Sequence, residues 1–69
     1  MPLSMARPGE ECTVARVSGK DEVRKHLESM GFVVGAIVTV ISDIGGNLIV
    51  NIKETRVALD KSLASKIFV

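Results

Sequence analysis

Tryptophan and tyrosine are absent, and phenylalanine occurs only twice, at Phe32 and Phe68. So few rings give no stacking platform for single-stranded nucleic acid and no aromatic groove for a proline-rich peptide. An excess of one charge is lacking too: nine Lys and Arg stand against eight Asp and Glu, for a formal net charge of +1. Phosphate neutralisation supplies most of a nucleic-acid binder's affinity, so this balance argues against that class. Cys12 is the only cysteine, which excludes an internal disulfide and fits a reducing, cytoplasmic home. The longest apolar run, Phe32 to Ile41, is broken by Gly35 and Thr39. It falls short of the roughly 20 residues that a membrane-spanning helix needs. Met1 to Pro8 has no apolar core of a secretion signal.

Catalytic groups are equally scarce. Cys12 and His26 are the only thiol and imidazole, and two ligands fall short of the four of a structural zinc site. Glu10-Glu11 and Asp21-Glu22 are adjacent pairs whose side chains point to different sides of their elements. No phosphate loop is present: Gly45-Gly46 lacks the lysine and the following helix, and Gly31 and Gly35 follow a helix, at the wrong end for an anion. The expectation is a non-enzyme with no catalytic residue, no metal site and no cofactor.

What is present is a small folded domain. Its 69 residues are 46% hydrophobic and 25% charged, an ordinary globular balance for one domain over residues 1–69. Met1 to Ser4 is expected to be a loose arm. Cys12 to Val17 reads as a strand whose alternation is poor, with a bulge as one way to shift its register. Lys20 to Met30 is the one clear helix, with Val23, Leu27 and Met30 as its apolar stripe. Ser18 is the expected N-cap and Gly31 the left-handed residue that ends the helix. Ile37 to Asp43 is nearly all apolar and reads as a strand buried on both sides or sharply coiled. Gly45-Gly46-Asn47 is a hairpin signal. Leu48, Val50 and Ile52 alternate inward, then Val57 and Leu59. Asp60 is placed to cap one helical turn through Ser65, and Lys66 to Val69 is a last short strand. About five strands with a helix after the first and a helical turn before the last suit a mainly β, small antiparallel barrel. The final strand, Ile67-Phe68-Val69, is the expected edge for pairing of copies into a homo-oligomer. The candidate partner surface combines Arg24, Lys25 and His26 on the helix with Phe32 and Val33 just past it.

Several of these residues resemble the FeoA family of small ferrous-iron-transport accessory proteins. They are Pro8-Gly9-Glu10, Met30-Gly31-Phe32 with Gly35, Val38 and Val40, and the tail Arg56-Val57-Ala58-Leu59, Leu63-Ala64 and Lys66 to Val69. The likeness runs from about Leu3 to Val69 and rests on order and spacing together. It implies an SH3-like barrel with an inserted helix. It further implies a cytoplasmic, non-enzymatic bacterial protein that works with a membrane ferrous-iron transporter carrying a GTPase-like domain. Many relatives have a basic run ending in Arg-Leu where this chain has His26-Leu27, and a proline-containing hairpin where it has Asp43 to Asn47. The same barrel forms the C-terminal domain of metal-dependent repressors, so a stand-alone iron-sensing or adaptor module is the alternative implied. One His cannot supply the two-His, one-carboxylate set that ferrous iron often takes, although pooled ligands of an oligomer could.

Overall fold

In the computed structural model, which describes residues 1–69, a 3-10 turn at Leu3–Met5 leads into strands β1 (Glu11–Thr13) and β2 (Arg16–Val17). Helix α1 (Asp21–Ser29) follows, then strands β3 (Ile37–Ile44), β4 (Asn47–Ile52) and β5 (Thr55–Asp60). The helical turn α2 (Lys61–Ala64) and strand β6 (Ile67–Phe68) complete the chain. One antiparallel sheet has the order β1-β3-β4-β5, and a second pairs β2 with β6.

The expected order of elements is observed, with one strand more. Cys12 to Val17 is two strands because consecutive residues bond to different sheets. The Val14 N–H donates to the Ala36 carbonyl at 2.8 Å, and the Ala15 N–H to the Phe68 carbonyl at 2.7 Å. The chain turns a barrel corner between them, and only Val14 of this segment is buried. A single period of two cannot describe a strand that changes sheets, which accounts for its poor alternation.

β3 is not buried on both faces. Val38 and Val40 point into the core, whereas Ile37 and Ile44 are 56% and 65% exposed. Val40 pairs with Val50 but Ser42 pairs with Ile49, so Ile41 is an extra residue bulged out of register. β4 obeys the expected alternation, with Leu48, Val50 and Ile52 all buried. Both hairpin turns are two residues long with positive φ at each position. Gly45 and Gly46 stand at +58° and +84°, and Lys53 and Glu54 at +48° and +65°. Positive φ at both positions gives the mirror-image turn whose twist matches paired strands. Glycine adopts it freely; Lys53 and Glu54 adopt it against their Cβ atoms.

The N-terminal residues are not a loose arm. Leu3 is fully buried, and its turn packs against α2 and β6. Pro2 bridges Phe68, while the Met1 amino group and the Val69 carbonyl lie 2.8 Å apart. Those contacts cover the outer side of β6, so Ile67 to Val69 is not the free edge that the sequence led us to expect. Ser18 is not the cap of α1 either. Lys20 holds that position with no side-chain bond, and the Ser18 hydroxyl donates instead to the Lys66 carbonyl at 3.3 Å.

Asp60 does cap α2. Its Oδ1 accepts the Leu63 N–H at 2.8 Å and the Ser62 hydroxyl at 2.7 Å. The Leu63 N–H first, then Ser62, hold its carboxyl below the usual aspartate value. A carboxyl whose pKa falls on folding stabilises the fold above its unfolded pKa, and that contribution disappears as pH drops through the folded one. Asp60→Asn keeps the capping oxygen but cannot titrate. Urea midpoints between about pH 5 and pH 2 should therefore fall less steeply in the variant than in the parent. Equal slopes would show that Asp60 is not linked to folding.

A candidate docking surface

Two glycines set the geometry of the segment after α1. Gly31 has a φ of +104°, and its N–H donates to the Glu28 carbonyl at 2.9 Å. The Phe32 N–H reaches back to the Leu27 carbonyl at 3.0 Å. These two bonds form the Schellman ending, in which the residue after the glycine meets the last turn of the helix. That residue is Phe32, and both it and Leu27 are fully buried. Phe32 is therefore core, which corrects its expected place on the partner surface. The helix ending turns the ring inward, into the hydrophobic core.

The residues beyond Phe32 are thrown outward. Val33, Val34 and Ile37 are 39%, 71% and 56% exposed. The loop that carries them is clamped to the corner of the first strand: the Gly35 N–H donates to the Val14 carbonyl and the Val14 N–H to the Ala36 carbonyl, each at 2.8 Å. Lys53 lies alongside, its Cδ 3.7 Å from where a Cβ on Gly31 would stand. The result is an exposed apolar loop, with Lys53 next to the glycine that precedes it. Val34, Ile37 and Lys53 carry no local sequence signal that marks them as part of a docking surface. The Schellman pair fixes which of the residues after the helix turns in, and the alternation around Val38 fixes Ile37 as outward.

The basic residues of α1 do not gather beside Val33. At 100° per residue, Lys25 points away from the buried stripe of Val23, Leu27 and Met30, and Arg24 and His26 fall on opposite flanks. All three are exposed. Arg24 forms an ion pair with Asp21 one turn earlier, which offsets its charge locally. Lys25 is the one basic residue of the three left at the outermost line of the helix.

The remaining chemistry-bearing groups are dispersed. The Cys12 thiol is half-buried on β1, and desolvation, with Glu10 nearby, pushes its pKa up and keeps it a poor nucleophile. No three of the His, Cys, Asp and Glu side chains converge on one point. The Arg16 guanidinium sits 4.3 Å from the centroid of Phe68, a cation–π contact that ties β2 to β6.

Known proteins share this architecture. A protein of Methanocaldococcus jannaschii, provisionally named Fe(2+) transport protein A, is 34% identical over 68 residues, covering 99% of this chain and 83% of its own. A solved structure of Stenotrophomonas maltophilia FeoA, complexed with zinc and described as a procaryotic SH3 domain protein, superposes with a TM-score of 0.86. It is 31% identical, over 100% of this chain and 88% of that one. The mainly β, SH3-like fold expected from the sequence is thus the fold observed. A manganese-dependent transcriptional repressor has a TM-score of 0.89 at 26% identity, and there the match covers 100% of this chain but only 40% of the repressor. No helix of the chain is long and apolar enough to cross a membrane. The FeoA domain model matches residues 1–69, from the docked N-terminal turn to β6, and the chain accordingly belongs to the FeoA family.

Proposed function

We propose that this chain is a non-enzymatic accessory protein of ferrous-iron transport that works in the cytoplasm. Its partner is the cytoplasmic, GTPase-bearing part of a membrane iron transporter. The observation that carries the reading is the outward Val33-Val34-Ile37 loop, held to Val14 by two backbone bonds. A clamped loop loses little conformational freedom on binding, and exposed aliphatic side chains gain by leaving water. Lys53 and Lys25 are the cations nearest in role to the basic surface first expected, and Val33 stays part of it. Family membership supplies the transport context, and the archaeal relative's name supplies the ion.

The test is capture of the transporter from solubilised membranes by tagged protein. Val34→Asp is expected to weaken capture by about tenfold or more, since it sets a charge where an apolar contact must desolvate. Its folding stability should stay within about 0.5 kcal/mol of the parent, because Val34 is exposed. Arg24→Ala, which removes one half of a surface ion pair, should leave capture nearly unchanged. Undiminished capture by Val34→Asp would remove the loop from the interface.

The likeness to part of a manganese-dependent repressor favours one second reading, an iron-sensing module. Anaerobic calorimetry with Fe(II) separates the two. Saturable heat at about 100 μM protein supports the sensor, and its absence at that concentration disposes of a tight site.

A further inference from the structure

A free edge of this barrel is β5, one end of the four-stranded sheet. On one side it pairs with β4 from Thr55 to Asp60 with no shift of register, and on the other it has no strand. The Lys61 N–H donates to the Gly46 carbonyl at 3.1 Å, one step beyond the Asn47–Asp60 pair. Antiparallel ladders bond at alternate pairs, so Leu48–Leu59, Val50–Val57 and Ile52–Thr55 are the bonded ones. The backbone N–H and C=O groups of Arg56 and Ala58 therefore face away from β4, as does the Asp60 N–H. Natural edges are usually blunted by proline, by a bulge or by an unmatched charge. This one has no proline, glycine or bulge, and Arg56, Ala58 and Asp60 are all exposed.

The charges on the edge match those of a second copy of it. Arg56 takes part in neither ion pair of the molecule. Both bonds to the Asp60 carboxylate fall on Oδ1, which leaves Oδ2 open. We propose that two copies of this chain pair β5 against β5 across a two-fold axis through Ala58. In that register Ala58 meets Ala58 of the other copy through a mutual pair of backbone bonds. Each Asp60 N–H reaches the Arg56 carbonyl opposite, and each Arg56 guanidinium faces the open Oδ2 of the opposite Asp60. Val57, half-buried at present, meets Leu59 across the axis on the inner face. The neighbouring register, centred on Val57, sets Glu54 against Asp60 instead and repels itself. The charges of the edge thus favour the Ala58-centred alignment over its Val57-centred neighbour, as a self-complementary two-fold contact requires. This pairing uses neither the Val33-Val34-Ile37 loop nor any transporter, so it stands or falls apart from the docking reading.

Sedimentation equilibrium and amide exchange by NMR on the full chain, from about 10 μM to about 1 mM, test it. The expected result is a dimer at the upper end, with exchange at the Ala58 amide slowed by about fivefold or more relative to the dilute sample. The Val57 amide, bonded to β4, should be protected at both ends. Arg56→Asp opposes two carboxylates across the axis, and Ala58→Pro deletes the outward donor without breaking a bond to β4. Both variants should sediment as monomers throughout. A wild-type monomer at every concentration with a fast Ala58 amide overturns the proposal and leaves the edge to a strand from another protein. A dimer that survives Arg56→Asp overturns it as well, because its interface then lies elsewhere.

Discussion

Phe32→Ala is expected to leave the protein largely unfolded at 25 °C. The ring is fully buried in the core, and removing a buried phenylalanine side chain costs about 3–5 kcal/mol in transfer and cavity terms. A single core in a domain this small supplies about 3–5 kcal/mol in all, so the loss is of the same size as the whole stability. Circular dichroism in increasing urea should show little or no folded baseline. A shift under about 1 kcal/mol would place the ring at the surface after all. Val34→Ala, two positions along, should change stability by less than about 0.5 kcal/mol. The contrast between the two separates the residue that builds the loop from one that the loop presents.

Leu3→Ala should come close to the same outcome by a different route. Leu3 is fully buried beneath α2 and β6. Leucine-to-alanine changes in cores cost about 2–5 kcal/mol. Deleting residues 1–5 removes more: the Pro2–Phe68 bridge goes too, and the outer side of β6 is bared. The truncated chain is expected to lose cooperative melting and to aggregate, because an uncovered edge strand is a template for pairing. Native-like melting of that chain would mean that Leu3 merely rests on the barrel.

The difference between these two sites shows what the sequence could reveal. Leu48, Val50 and Ile52 announce their burial because one regular strand faces one core, and Asp60 announces its cap because the acceptor lies three residues before the donor it meets. Leu3 sits in a segment too short for any periodicity, and only its contact with β6, from the far end of the chain, gives it a place. Phe32 reads as exposed because it follows a helix, and only the Schellman bonds turn it inward. Gly31 marks the helix ending in the sequence itself, yet the geometric result, that the next residue turns inward, decides where the surface begins. Arg24, Lys25 and His26 look like a cluster when written in a row, and the helical rotation disperses them. That β6 is covered while β5 is open is hidden for the same reason as the burial of Leu3: contacts between distant segments leave no local pattern.

The corner at Val14 and Ala15 has a further consequence, for the order of events during folding. One short segment serves both sheets, and its second half finds its partner only at Ile67 and Phe68. Contacts so distant in sequence repay the entropy of loop closure last, which slows folding relative to chains of local contacts. On the ribosome the meander of β3, β4 and β5 can assemble as soon as it emerges, while Arg16 and Val17 wait for nearly the whole chain to follow. Until then the barrel stays open as a sheet with two bare margins, and the longer it stays so, the longer those margins are exposed to misassembly.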